Sequence, residues 1–518
     1  MRGPIRHDEP YLPSPHGPRG PDAQSAAFRA ALGLPEAGPP VVLFALHNPP
    51  VPDWTGGTEG HATDLAAALE GWEVVWLYAR PDHFALVAGR APHRELLRVP
   101  LFPPQSSDQV FHHGFACHLR TILVQLQVRL VHVHHLMNLP ADVLAVPQTL
   151  GIPVIFTAHD YFTVCPQFNL VDYRRVYCAG NLEGPRSRCE ACMSERMGMG
   201  AETLFGWRRA LAELLPTVTR LVAPSRVALE PIDACYPGIA ERTQVIPHGL
   251  DTAAPARRRP PAPAVPLTVA FAGTLTIPKG AELLARILAS PRATAFRWKV
   301  LGQGGFQRRW LDALPAGLVL DWCGPYASGS LPRRLVDEGV DVLIFPAIWP
   351  ETFSYVVSEA FAAGVPILAT DLGAPAERVR EAGAGWIFDA GRPDSALDRL
   401  ELLERDRAEV ARRSERAAAV RLRSTREMAA DYRALYDRTA APRSATEDPA
   451  ALESRTLELL YLAGKPQAGP EAAVHVPPAP DERGAIERLL VAAGRRALRL
   501  ARALDSRARR AAARLRGG

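Results

Sequence analysis

Lysine is nearly missing from this chain of 518 residues: only Lys279, Lys299 and Lys465 occur among 60 basic side chains. A lysine that falls on a motif therefore carries more weight than an arginine would. No apolar run reaches the ~20 residues that a bilayer-spanning helix needs, which argues against a helical channel or receptor. The opening MRGPIRHDEPYLPSPHGPRG is polar and proline-rich and lacks the apolar segment of a secretory signal. The expectation is a cytoplasmic protein. Net charge is also small. The whole chain carries +5, while residues 481–518 alone hold eleven arginines against four acids. The body is thus near neutral and offers no broad basic face for nucleic acid.

What is present is enough apolar residue, 47% of the chain, for two or three domains. The most informative stretch runs from Ile344 to Ala376. Residues 342–345 (VLIF) predict a strand that stops at Pro346, because proline brings no N–H to a ladder. A loop with Glu351 follows, then a helix whose apolar positions Val356, Val357, Ala360, Phe361 and Ala363 recur near helical spacing and which carries Glu359. Gly364 caps that helix, Pro366 prevents its continuation, and 365–370 restarts as a buried strand. In a parallel sheet such a unit puts its loop at the carboxyl edge, where open α/β sheets bind ligands. Two carboxylates there suit a hydroxyl-rich ligand, since each accepts bonds from vicinal diols. The spacing alone is equally compatible with a solvated loop acid and a capping acid.

The full string WPETFSYVVSEAFAAGVPILATDLGAPAERV, however, resembles the signature of the family-4 retaining glycosyltransferases. That resemblance implies the GT-B architecture: two Rossmann-like, doubly wound α/β domains facing a cleft. It also implies that Glu351 faces the donor sugar and Glu359 holds the nucleotide ribose. The expected organisation is a Pro/Gly-rich extension over 1–40, a first, acceptor domain over 41–251 with a cysteine-rich insert at 165–200, and a linker over 252–266. A second, nucleotide-sugar donor domain over 267–422, a cross-over helix at 423–439 and a basic, partly helical extension over 440–518 complete it.

Other segments fit this frame. After the strand Val41–Leu46, TGGTEGHATDLAAALEGW places Gly56 and Gly57 before a helix, where free N–H groups favour a diphosphate. It resembles the family's GGxExHxxxL opening, which implies that Gly57 and Thr58 line the donor phosphates. Strand 152–157 ends in T-A-H-D and puts His159 at the carboxyl edge. The resemblance gives His159 a role on the transferred sugar. His132, His134 and His135 cluster in RLVHVHHLMNLP, but alternation splits them between faces and argues against one shared ion. In the second domain, AGTLTIPKGAELL sets Lys279 and Gly280 at a helix head, a suitable diphosphate partner. The family usually has arginine where this chain has Thr274. Gly302 and Gly304 end a further strand, in loops that the resemblance sets beside the nucleotide.

Four of the seven cysteines, Cys165, Cys178, Cys189 and Cys192, fall within 28 residues. In a reducing compartment this favours metal over disulfides, and the closing C-x2-C suits one side of tetrahedral zinc. Unligated small buried side chains are the other reading. For residues 481–518 a basic amphipathic helix on anionic lipid leads over a solvated or partner-bound helix, and no nucleic-acid partner is expected.

The function expected is transfer of a sugar from a nucleotide-sugar donor to a glycan or lipid-linked acceptor in cell-surface polysaccharide synthesis. No cofactor is required by these residues, and zinc enters only as a structural candidate. The alternative is a non-catalytic GT-B scaffold, which the Thr274 departure favours.

Overall fold

Runs such as Val41–Leu46 and Val342–Phe345 are apolar on both faces, so they are stable only as central strands covered on two sides. Two sheets are built on them. The computed structural model describes residues 21–50, 56–91, 93–106, 108–252, 265–304, 312–442 and most of 455–463. Residues 253–264 of the expected linker and the basic segment 481–518 lie outside the described residues, as does part of the apolar helix expected over 452–462.

The first sheet contains β1 Val41–Leu46, β2 Glu73–Arg80, β3 His83–Ala88, β4 Glu95–Pro100, β5 Val128–Val133, β6 Val154–Thr157, β7 Arg220–Ala223 and β8 Thr243–Val245. Its order is β4-β3-β2-β1-β5-β6-β7-β8. Every pairing is parallel except β2 with β3 and β3 with β4. That antiparallel pair is an addition to the doubly wound pattern that the sequence reading did not anticipate. Gly89 permits it, since a Cβ there would lie 2.2 Å from the Val74 carbonyl oxygen.

The second sheet contains β9 Thr268–Ala272, β10 Arg297–Leu301, β11 Val319–Gly324, β12 Val342–Phe345, β13 Ile367–Thr370 and β14 Gly385–Phe388. Its order, β11-β10-β9-β12-β13-β14, is the doubly wound one, and its pairings are all parallel. In each sheet the chain reverses its direction of growth next to the first strand, between β1 and β5 and between β9 and β12. Ligand crevices open at the carboxyl ends of such strand pairs. The segments after β1, β5, β9 and β12 are where the sequence motifs lie.

Four helices position the site: α1 Gly57–Ala68, α2 Ala281–Leu288, α3 Tyr355–Ala362 and α4 Thr425–Thr439. Helix α4 starts at a capping box between Ser424 and Glu427. It then lays Met428, Ala429, Tyr432, Leu435 and Tyr436 into the first sheet's core beside Val42, Phe44 and Trp76. This helix follows the second sheet in the chain and is packed on the first.

Candidate active site

The carboxyl edge of the second sheet is built from glycines first. Gly280, with φ +87°, caps α2, and a Cβ on it would stand 1.8 Å from the Pro346 carbonyl oxygen. Only glycine lets the head of α2 lie against the end of β12. Gly302 similarly meets Gly273 O, at 1.9 Å for a Cβ, and Gly304 pairs with Leu275. Close packing of two loops thus accounts for Gly302 and Gly304 before any ligand is invoked. Thr274 sits beside them and is exposed.

These turns bring Lys279 to the loop after β12. Its Nζ stands 2.5 Å from Glu351 Oε1, with Glu351 buried and Lys279 about a third exposed. The loop is held from three directions. Ala374 donates its N–H to Glu351 O at 2.8 Å. Gly373, with φ +64°, allows that approach, since a Cβ would lie 2.5 Å from Pro350. Arg378 donates to Phe353 O, Ser354 O and Ser358 Oγ and lies over the Phe353 ring. It thereby braces Ser354, a non-glycine residue held at φ +67° ahead of α3. Glu359 on α3 is 6% exposed, and burial raises its pKa to about 7. The Tyr326 ring, whose own pKa is raised by burial and by the Glu359 charge, lies near it.

The first sheet meets this loop from the other side. Tyr161 OH donates to Pro350 O at 2.8 Å, Thr352 Oγ1 to His159 O at 2.6 Å, and Ser225 Oγ to Thr352 O at 2.8 Å. Residues after β6 and β7 therefore clasp the loop after β12, and Glu351 and His159 belong to one cleft. At the head of α1, a Cβ on Gly57 would meet open space. One turn in, Glu59 is buried and accepts from Asn48 Nδ2 and pairs with His47 Nε2. Burial alone would raise its pKa, but these partners hold it at about 2.

The floor of this side is a group of imidazoles. His61 from α1, His134 after β5 and His159 after β6 each bring a ring nitrogen within 4.8 Å of the others. His134 Nδ1 and His159 Nε2 are 3.3 Å apart, and the His248 ring lies 4.1 Å from that of His61. Burial pushes all four pKa values well below the ordinary histidine value, so the rings are neutral near pH 7. Both ring nitrogens of His61, His134 Nε2 and His248 Nδ1 are buried without a hydrogen-bond partner. Such groups cost free energy unless a ligand satisfies them. Alternation does not split all three histidines of the β5 region: His132 and His134, two positions apart, share a face with ring centroids 3.8 Å apart, and His135 points away. His132 bonds Thr157 and Tyr436, and His135 bonds Asp160, so only His134 faces the group.

Residues 55–254 match the family described as Glycosyltransferase Family 4, and residues 256–420 match Glycosyl transferases group 1. The chain belongs to the family-4 glycosyltransferases. Among solved structures, this family-4 chain is similar to sucrose-phosphate synthase from Thermosynechococcus elongatus, at TM-score 0.54 and 17% identity over 77% of this chain and 98% of that one. It is also similar to HepE from Anabaena in complex with UDP, at TM-score 0.51 and 14% identity over 77% of this chain and 100% of that one. These likenesses show the GT-B fold. A D-inositol 3-phosphate glycosyltransferase from Acidothermus cellulolyticus is 28% identical over 35% of this chain and 45% of its own length. The chain spans about half the length of the curated relatives it matches.

Within this family-4 chain the sequence reading placed Lys279, Glu351, Glu359 and His159 in a common cleft, and it missed what surrounds them. His61 was visible only as one letter of the GGxExH match. Tyr161, Ser225 and Arg378 carry no motif signal as clasping residues, because each acts on a backbone carbonyl distant in sequence.

Proposed function

We propose that this protein transfers a sugar, with retention, from a nucleotide-sugar donor to a glycan or lipid-linked acceptor on the cytoplasmic side of a membrane during cell-surface polysaccharide synthesis. The single observation carrying the reading is the Lys279–Glu351 pair at the switch point of the second sheet, clasped to the His159 segment of the first. In this reading the donor diphosphate takes Lys279 Nζ and the free N–H groups around Gly56, Gly57 and Thr58. Lys279 then turns from Glu351, whose carboxylate accepts from the sugar hydroxyls. Glu359 accepts from the ribose diol, and His159 contacts the transferred sugar. Lys279 supplies positive charge where negative charge develops on the leaving diphosphate, in a cleft whose walls are largely buried. The unpartnered nitrogens of His61, His134 and His248 offer donors and acceptors to hydroxyls of the sugar and its acceptor. HepE, the GT-B protein seen with UDP, makes a uridine donor the first to try.

The test is thermal stabilisation of the full chain across UDP-, GDP-, dTDP- and ADP-sugars, repeated with Glu359→Ala. A donor at 100 times its dissociation constant adds about 2.7 kcal/mol of stability, a readily seen melting shift. The reading expects one nucleotide to stabilise the protein and the shift to vanish in the variant. No shift with any of them would favour the scaffold alternative and turn attention to Thr274.

A further inference from the structure

The insert after β6 carries side chains that the sugar-transfer reading does not use. Its four cysteines come from three segments, with Cys189 and Cys192 on the one short helix Arg186–Cys192, yet Cys165, Cys178, Cys189 and Cys192 all line one small cavity of about 20 Å³. That is room for a single water or ion. Cys165, Cys189 and Cys192 are 8% exposed, and all four are free thiols. One sulfur is also met by a donor from outside the group, and the backbone N–H groups of Gln167, Gly180 and Tyr173 lie on the side of Cys165, Cys178 and Cys192 that favours their thiolates. Asn181 Nδ2 reaches Cys189 Sγ at 3.3 Å. Neutral thiols are weak acceptors, whereas thiolates bound to a metal are regularly supported by such second-shell N–H donors.

The local chain conformation serves this arrangement. An antiparallel bridge between Val171 and Tyr177 closes a hairpin, and Cys178 donates its own N–H to Leu170 O. Ala179, Gly180 and Asn181 then run at positive φ, which turns the chain back after Cys178. Two non-glycine residues in that region imply a local cost that some interaction must offset. Arg208 donates to Val164 O and to Gly180 O, pinning the segments of Cys165 and Cys178 together. Arg208 and Arg188 both line the cavity, the latter paired with buried Asp172. Four thiolates around one divalent cation carry two net negative charges, and the guanidinium groups oppose them.

We propose that Cys165, Cys178, Cys189 and Cys192 form a structural tetrathiolate site for one zinc ion, which closes the insert. The four sulfurs stand wider than a coordinated set. Among the described residues, the tight ligand group is the histidine trio of the cleft. Metal binding draws the sulfurs in to about 2.3 Å from the ion. The site is separate from the donor contacts, and it fixes an insert whose Arg175 pairs with Glu282 on α2.

The experiment is metal analysis of the purified full chain, beside the same chain carrying Cys189→Ser and Cys192→Ser. The expected result is one zinc per chain, lost in the double variant and unchanged in His61→Ala. Because the double variant can unfold for other reasons, cobalt(II) exchanged into the unaltered chain gives a second reading. A tetrathiolate site shows intense sulfur-to-cobalt charge-transfer absorption in the near ultraviolet, and an imidazole site does not. Zinc absent from the full chain, zinc lost in His61→Ala instead, or cobalt without sulfur absorption each overturns the proposal. Donor-dependent melting shifts are read separately, so failure here and failure of the sugar-transfer reading are distinguishable.

Discussion

The two carboxyl edges that meet in the cleft are chemically opposite. The second sheet brings formal charge: Lys279 paired with Glu351, half-buried Arg378 bonded to the loop, and Glu359 behind them. The first sheet brings His61, His134, His159 and His248, buried rings that stay neutral near pH 7. A diphosphate is held by fixed charge, whereas hydroxyl groups that must give and receive hydrogen bonds are matched by neutral imidazoles. In the proposed function, donor and acceptor sides are thus set apart by their electrostatics.

The largest effect expected is on the charged edge. Glu351→Gln keeps the volume but removes the charge that pairs with Lys279, and a loss of two to three orders of magnitude in kcat/KM is expected, about 3–4 kcal/mol of transition-state stabilisation. Transfer assays on the variant and on His159→Ala give the contrast, since the neutral histidine contacts the same transferred sugar without supplying charge and its loss should cost less in kcat/KM. A Glu351→Gln enzyme within threefold of the parent would remove the division of labour.

Glycines sharpen the same contrast in stability. Gly280→Ala forces a Cβ to 1.8 Å from Pro346 O at φ +87°, and should cost about 3 kcal/mol. Gly57→Ala on the opposite edge meets open space and should lie within about 0.5 kcal/mol of the parent. Denaturant midpoints of the two variants decide the point, and comparable losses in both would contradict the packing argument.

How much of this was legible in the sequence follows the same line. The donor edge was readable because its residues are close together in the chain: Lys279 with Gly280, Glu351 with Glu359. Local motifs record what a strand, a turn and a helix head must supply. The imidazole group was not readable, because its members arrive from α1, β5, β6 and the segment after β8, and only the sheet order β1-β5-β6 brings them together. The antiparallel pair β3–β4 was missed because nothing in the family pattern calls for it. The ion argument for His132, His134 and His135 rested on alternation, which separates His135 from the other two but leaves His132 and His134 on one face with touching rings; it is the Thr157 and Tyr436 hydroxyls that occupy His132.

Titration separates the edges by sign. For the histidines the folded pKa lies below the unfolded value near 6.5, so below that pH the unfolded chain binds protons the folded chain refuses. Stability falls on acidification, by about 1.4 kcal/mol per pH unit for each such ring. Glu359 acts in reverse: its folded pKa of about 7 exceeds the ordinary 4.5, so the cost of its charge appears as pH rises through that window. Glu359→Gln should therefore stabilise the donor-free protein at pH 8 by up to about 3 kcal/mol while abolishing the donor shift. His61→Leu should flatten the acid limb and stabilise at pH 7 by about 1–2 kcal/mol, since it removes two unpartnered buried nitrogens. Melting curves from pH 5 to 8 test both, and parallel pH profiles in the parent and both variants would refute the assignment.

The smallest effect expected lies where the edges touch. Tyr161 is fully buried and gives its hydroxyl to Pro350 O, one residue before Glu351, with its ring edge-on to Trp349. Tyr161→Phe keeps the ring contact and deletes one hydrogen bond, leaving a buried carbonyl unsatisfied at a cost of about 1 kcal/mol. Two companions, Thr352 to His159 O and Ser225 to Thr352 O, still hold the loop, so the variant should fold and bind donor. What it should lose is the fixed distance between the Glu351 carboxylate and the imidazole side. A severalfold fall in kcat with unchanged donor affinity is the expected outcome, because a loosened clasp misplaces groups that act on one sugar from opposite domains. Donor affinity falling instead would mean that the clasp serves the charged edge alone.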